Sequence, residues 1–246
     1  NGIEPPLSAV HMVFTGNPGT AKTTVARLFA EILKDEKVFG TGNFVEAGRA
    51  DLIGMFVGET ALKVKAKFQE AQGGVLFIDE AYSLCDGYSK GYGDEAINTI
   101  VQEMENHRDE VIVVFAGYPE PMKEFLDRNP GMKSRIAFNV EFEDYNTDEL
   151  CSITKLMLNR KQMKITDAAS NKLLENYERA RKNKDYGNGR YVRKIIEEAE
   201  MNLAQRLMGL DESELTEEVI TTLDVHDIPL YKEAYSSEKK VLGFSA

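Results

Sequence analysis

Residues 11 to 24 read HMVFTGNPGTAKTT: an apolar run, a turn with glycine and proline, then a lysine and two threonines that open a stretch of helical periodicity. A strand that stops at Thr15 and a helix that starts near Lys22 force the chain through a tight concave turn whose backbone N–H groups point inward. With the positive end of the helix dipole, those donors can cradle a triphosphate. In the GxxxxGK[ST] pattern the lysine reaches the β and γ phosphates and the hydroxyl binds magnesium. Lys22 and Thr23 take those roles, and Gly16, Asn17, Pro18, Gly19, Thr20, Ala21 and Thr24 complete the loop. Position 21 departs from the pattern, which places glycine before the lysine. If the backbone there must be left-handed, the Ala21 methyl costs roughly 1–2 kcal/mol, which weakens nucleotide binding without abolishing it.

A second chemical feature follows about sixty residues on, where the apolar run Val75 to Ile78 ends in Asp79 and Glu80. Such a run suits a buried central strand, and two carboxylates at its end are costly without a partner. A magnesium ion on Asp79 supplies one, and Glu80 can then polarise an attacking water. Capping of the next helix accounts for one of these acids only.

Three further places carry candidate groups. Tyr118 follows the apolar run Val111 to Ala116 and either touches the γ phosphate or packs at a sheet edge. Arg128, Lys133 and Arg135 lie in the loop RNPGMKSRIAF. Arg190 opens the last long helical stretch, where a positive charge opposes the dipole, so that it either faces an anion or is solvated. Met55, Phe56 and Val57, beside Gly58, fit neither a helical nor a strand period and are either packed under their loop or offered at a surface.

These groups need a scaffold. Apolar runs at 11–15, 43–47, 75–78, 111–116 and 138–142 alternate with helical periodicity marked by Val25, Leu28, Phe29, Ile32 and Leu33, then Ala61, Val64, Phe68 and Ala71, then Ile97, Ile100, Val101 and Met104, then Met122, Phe125 and Leu126. That alternation predicts an open, doubly wound α/β sheet with ligands beyond the strands' carboxyl ends. The first helix is expected to bury the face formed by Val25, Leu28, Phe29, Ile32 and Leu33. GRADLIGMFVGET reads as a glycine-punctuated loop and SLCDGYSKGYGD as a flexible segment. After Asp144 the pattern is helical only: Leu150, Ile153 and Met157; Ala169, Leu173, Tyr177 and Ala180; Val192 through Leu207. A small all-α domain is therefore expected at 147–230, after an α/β domain at 1–146 and before a polar tail at 231–246, with a short strand in ITTLDVHDI. The opening NGIEPPLSAV reads as the start of a segment cut from a longer chain.

Composition bounds the function. The chain has 246 residues, 42% of them hydrophobic, and a net charge of −11. That length supports one large or two modest cores, and the acidic balance argues against a broad nucleic-acid surface. No run approaches the ~20 apolar residues that span a bilayer, so a cytoplasmic protein is expected. The two cysteines, Cys85 and Cys151, lie far apart and show neither disulfide nor zinc spacing, and the three histidines are scattered.

HMVFTGNPGTAKTTVARL, EAGRADLIGMFVGETALKVK, GGVLFIDEAYSL, VVFAGYPEPM and NPGMKSRIAF, in this order, resemble the AAA+ ATPases of the CbbX and stage V sporulation protein K group over roughly residues 11 to 208. The resemblance implies an AAA+ P-loop sheet with a helical lid, ATP and Mg2+ as ligands, and a ring-shaped homo-hexamer that uses ATP hydrolysis to remodel or thread a protein client. It implies that Gly16 to Thr24 form the Walker A loop and that Asp79 and Glu80 are the Walker B pair. It further implies that Tyr118 is a polar sensor, Arg135 the finger reaching a neighbour's γ phosphate, Arg190 the second sensor, and Phe56, Val57 and Gly58 the pore loop. Arg128 and Lys133 are the rivals for the finger. The AAA+ region that precedes the first strand is largely missing. The alternative function is a catalytically weak nucleotide-sensing module or scaffold, and a DNA-directed ATPase of the same fold fits the charge poorly.

Overall fold

Five of the apolar runs form strands in the computed structural model, which describes residues 10–56, 58–85 and 91–231. They are β1 (His11–Gly16), β2 (Asn43–Ala47), β3 (Gly74–Ile78), β4 (Val111–Gly117) and β5 (Ile136–Phe142). All pair in parallel, in the order β2-β3-β4-β1-β5. Every residue of β3 and β4 is buried, as unbroken Val, Leu, Ile and Phe require when both faces of a strand are covered. Alternate side chains feed two cores. Val13, Leu76, Ile78, Val113 and Phe115 join the helices α3 (Glu59–Glu70), α4 (Tyr92–Asn106) and α5 (Pro119–Arg128) on one face. Met12, Phe14, Val75, Phe77, Ile112 and Val114 join α1 (Lys22–Asp35) on the other. Each such side chain contributes about 1.5–3 kcal/mol on burial.

The α1 face differs from expectation. Ala26, Ala30 and Leu33 are buried, whereas Leu28 is 53% and Ile32 48% exposed, and Val25 is exposed too. Two contacts account for the roll of the helix. The Arg27 guanidinium lies 4.4 Å from the centre of the Phe44 ring, and it stands 3.6 Å from Glu46, both on β2. With Arg27 turned to that edge and small alanines letting the helix sit close to the sheet, Val25, Leu28 and Ile32 fall on the opposite flank. The stretch GRADL is also not loop throughout: Arg49–Leu52 form a short helix, α2, whose start is held by Gly48 N–H donating to Asp51 Oδ2 at 2.9 Å. Ala81–Cys85 form a 3₁₀ turn, and residues 86–90 lie outside the described part.

The chain divides into two units, Asn1–Glu143 and Asp144–Ala246. A short helix α6 (Pro130–Lys133) completes the first. The second is built on α7 (Thr147–Arg160), α8 (Asp167–Ala180) and α9 (Asn188–Leu207). Leu150, Ala169, Leu173, Tyr177, Ala180, Val192, Ile195, Ile196, Ala199 and Leu203 share one core there. A ladder of two residues a side pairs β6 (Lys164–Ile165), between α7 and α8, with β7 (Thr222–Leu223), which follows the short helix α10 (Glu217–Thr221) and falls in the strand expected in ITTLDVHDI. Of the tail, only Tyr231 is described.

Candidate nucleotide site

Parallel strands deliver several loops to one edge. Thr15 of β1 pairs in register with Gly117 of β4, and Ile78 of β3 with Phe115 of β4. The segments after β1, β3 and β4 therefore leave the same end of the sheet. Since β4 lies between β1 and β3, the backbones at Gly16 and Ile78 are two strand spacings apart, about 10 Å. Lys22 and the Asp79–Glu80 pair share one edge at a separation that a triphosphate can bridge.

The loop after β1 is held by its own groups. Gly16 needs to be glycine because a Cβ there would collide with the Phe142 carbonyl. The buried Thr20 hydroxyl donates to Asn17 O at 2.8 Å, and Lys22 Nζ donates to Gly16 O at 2.8 Å and Asn17 O at 2.9 Å. Ala21, the residue before the helix, has φ 65° and ψ 21°, and its side chain caps nothing. The departure from glycine thus falls on a left-handed position, where a methyl group is strained. The first-turn N–H groups of α1, with half-buried Thr23 and exposed Thr24 in that turn, form an anion-binding terminus.

At the end of β3, Asp79 N–H donates to Ala47 O at 3.0 Å, and Glu80 N–H donates to Asp79 Oδ1 at 3.0 Å. Glu80 is exposed with φ 48°, a second left-handed residue at this edge and one with no glycine-like freedom. Tyr118 leaves β4 between the two, half-buried, its ring centre 6.1 Å from that of Tyr82. Among the described residues no group of three or more His, Cys, Asp or Glu is placed to hold a metal ion. One carboxylate and one hydroxyl suit magnesium, which keeps waters and shares its ligands with substrate phosphates.

Other predicted residues lie elsewhere. After β2, Phe56 is 69% exposed and Met55 more so, which settles the surface alternative for these two; Gly58 is exposed and left-handed at φ 83°. Val57 lies outside the described residues. The sequence did not flag the groups that hold this tip. Both Met55 N–H, at 2.9 Å, and Phe56 N–H, at 3.2 Å, donate to Glu59 Oε2, and Lys63 Nζ donates to Ala50 O and Ile53 O. Arg135 stands just before β5, whose first residue Ile136 pairs with His11. It is therefore at the opposite edge of the sheet from Lys22, about five strand residues or 17 Å away. Its Nη2 donates to Glu105 Oε2 at 3.3 Å and its Nη1 to Gly131 O at 2.8 Å, while Nε, out of contact with solvent, has no partner among the described residues. Lys133 is paired with Asp127 at 2.7 Å, and Arg128 is exposed at the end of α5. Arg190 is the third residue of α9 in the second unit, exposed.

Residues 12–143 match the family model described as ATPase family associated with various cellular activities (AAA), and residues 146–240 match the AAA lid domain. Among curated proteins, the chain is 42% identical to a protein CfxQ homolog of Pyropia yezoensis over 89% of its length and 73% of that protein. It is 38% identical to stage V sporulation protein K of Bacillus subtilis (strain 168), over 96% and 74%. It is 40% identical to the chloroplastic ribulose bisphosphate carboxylase/oxygenase activase of Cyanidioschyzon merolae, over 92% and 80%. Among solved structures, the FIGL-1 AAA domain in complex with ADP superposes with a TM-score of 0.60 at 22% identity, covering 92% of this chain and 71% of that one. At that identity the likeness speaks for the fold.

Proposed function

The chain belongs to the ATPase family associated with various cellular activities, an ATP hydrolase by that membership, and we propose that it works as a ring-shaped homo-hexamer that remodels or threads a protein client. One observation supports the ring above others: Arg135 stands at the edge of the sheet remote from Lys22. A subunit that contributes both cannot use both on one nucleotide, so a complete site takes its arginine from a neighbour. Heterologous contacts of that kind form a ring where the rotation between neighbours closes.

In this reading the first-turn N–H groups of α1 and the ammonium of Lys22 bind the phosphate tail. Lys22 exchanges its two loop carbonyls for phosphate oxygens. Thr23 and Asp79 would hold magnesium, which when bound neutralises charge on the β and γ phosphates. Glu80 orients a water and takes its proton as the oxygen attacks the γ phosphorus. The bond from that phosphorus to the bridging oxygen breaks, and ADP and phosphate leave. Tyr118, between the loop and the acids, contacts the γ phosphate or the water. Arg135 of a neighbour steadies the charge on the transferring group, and Arg190 of the lid contacts the nucleotide. Phe56, Val57 and Gly58 grip the client. Exposed apolar groups on a tip braced by Glu59 suit a pulling surface, because a loose tip would yield instead of transmitting force.

The client is a protein; a net charge of −11 argues against nucleic acid. The names of the relatives, one a rubisco activase and another a sporulation protein, identify no single client. No helix among the described residues is long and apolar enough to cross a membrane; the setting proposed is cytoplasmic. The strain at Ala21 and the hold of Lys22 on its own loop favour one other reading, a nucleotide-sensing module that hydrolyses slowly.

ATP turnover per subunit, measured against protein concentration for the wild type and Glu80→Gln, separates them. The remodeller gives a rate per subunit that rises with concentration and falls about 10²–10⁴-fold in the variant, with ATP binding retained. A rate that is flat with concentration and unaffected by the substitution contradicts it.

A further inference from the structure

In the second unit one buried polar side chain ties the start of the Arg190 helix to the segment by which the chain enters that unit. Asn188 opens α9, two residues before Arg190, and is 0% exposed. Its Oδ1 accepts from Tyr145 N–H at 2.8 Å, and its Nδ2 donates to Asp144 Oδ1 at 2.7 Å. The Tyr186 hydroxyl lies 2.6 Å from the same Oδ1 and 3.0 Å from Tyr145 O, and donates to one of them at a time. Burial, with Asp144 adding to it, pushes the Tyr186 phenol up to about 12, so it remains a donor. The next residue, Asn146, is tied in turn: its N–H donates to Glu149 Oε2 at 2.7 Å, and its Oδ1 accepts from Glu149 N–H at 2.9 Å, capping α7. All three residues that follow Glu143 are thus fixed to helices of the second unit.

We propose that Asn188 is a positioning residue that fastens the start of the Arg190 helix to the segment by which the chain enters the lid, so that nucleotide contact by Arg190 and the setting of that entry segment move as one piece. The inference rests on the reading of Arg190 as a nucleotide contact. The position asks for asparagine on two counts. It must accept from N–H and O–H donors with one atom while donating to a carboxylate with the other, which an amide can do and an ionised acid or a hydrocarbon cannot. It also stands at φ 49°, a left-handed backbone that asparagine tolerates better than most residues. A helix start that needed capping alone would require neither the second donor nor the reach to Asp144.

The test is ATP affinity of the full chain with magnesium, by calorimetry, beside thermal melting of each variant. Arg190→Ala is expected to lose about ten- to a hundredfold in affinity, the worth of one charge-assisted hydrogen bond. Asn188→Asp sets a carboxylate against Asp144 without touching Arg190 and is expected to lose a comparable factor. Adding Asp144→Asn restores a donor on the other side of the pair and is expected to bring affinity back to within about threefold. Asp144→Ala, a change at an exposed residue, is expected to lower affinity about threefold or more with an unchanged melting temperature, and it carries the decision if Asn188→Asp does not fold. Wild-type affinity in both Asn188→Asp and Asp144→Ala, with Arg190→Ala impaired, would overturn the latch alone, as would a double variant no better than Asn188→Asp. Wild-type affinity in Arg190→Ala would overturn the reading of that arginine, and the latch with it.

Discussion

At the end of the sheet where the strands finish, Ala21 and Glu80 stand in left-handed backbone, Glu80 is open to solvent and Asp79 is half-buried. At the end where they begin, His11 is fully buried, with Nδ1 accepting Val113 N–H at 3.0 Å, and the nearby Arg135 is paired with Glu105 in the same chain. Two of the three left-handed non-glycine residues described in the first unit, Ala21 and Glu80, lie at the first of these ends; the third, Lys37, precedes β2 at the other. In the proposed reading Arg135, held here by Glu105 and the Gly131 carbonyl, acts on a neighbour's nucleotide and not on that of its own subunit. On the proposed function, one subunit would hold parts of two sites: a phosphate cradle at one edge and, at the other, a cation that a neighbour's nucleotide takes over.

Arg135→Ala probes that division hardest. An arginine acting in trans is worth about 10³ to 10⁵ in rate, so turnover in the assembled variant is expected to fall by that factor while each subunit still binds ATP. Mixing Arg135→Ala with Glu80→Gln sharpens the comparison. Random mixing leaves about one interface in four with an intact Glu80 facing an intact Arg135 across a heterologous contact, so two inactive proteins should regain measurable turnover together. Mixtures as inactive as their parents would place the arginine's role within its own subunit. A loss of less than tenfold in Arg135→Ala would move attention to Arg128.

The packed end has its own signature, in stability. Burial lowers the His11 imidazole from 6.5 to about 4, with the Met104 backbone and the Glu105 charge opposing and the charge of Arg135 a smaller contribution in the same direction as burial. With Nδ1 accepting, the neutral ring carries its proton on Nε2. Below 6.5 the unfolded chain binds a proton that the folded one refuses, so stability present above pH 6.5 is lost as pH falls toward 4, by up to ~3 kcal/mol. His11→Gln removes the titration. Its urea midpoint for the first unit is expected to fall less than that of the wild type between pH 7 and 4.5, by the equivalent of about 2 kcal/mol. Equal falls would mean that the N-terminal edge admits the charged ring.

How far this contrast was legible in the sequence depends on the range of the interactions involved. Strand runs such as 43–47 and the buried positions of α8 and α9 follow from periodicity and end where their patterns end. The common edge of the loops follows from parallel topology. The roll of α1 did not follow, because it is set by Arg27 meeting Phe44 and Glu46 on another element, and no pattern within the helix encodes that. Short pieces such as α2 and β6 carry too few residues to show a period, although β7 falls within the short strand expected in ITTLDVHDI. Glu105 on Arg135 and Asp144 on Asn188 are 30 and 44 residues apart in sequence, and only folding brings such pairs together. Ala21 was legible as a defect; that its backbone is left-handed was not.

Ala21→Gly gives the smallest expected effect and divides strain from function at the open edge. The methyl at φ 65° costs roughly 1–2 kcal/mol in the folded chain. Glycine removes that cost but gives the unfolded chain more freedom, worth about 0.4–1 kcal/mol against folding. The net gain in stability is therefore between about 0 and 1.6 kcal/mol, a shift of at most a few degrees in melting of the first unit. Nucleotide binding answers to a different quantity. If the loop holds the same backbone with and without phosphate, the strain is present in both states and cancels, so affinity stays within about twofold while stability rises. If phosphate draws the loop further into the left-handed turn, the strain is felt mainly in the bound state, and the glycine variant binds ATP several-fold tighter. Calorimetric titration beside thermal melting reads both numbers on one sample. A variant that is both less stable and weaker in binding would contradict the left-handed geometry at position 21, and with it the view that strain at this edge is a property of the cradle.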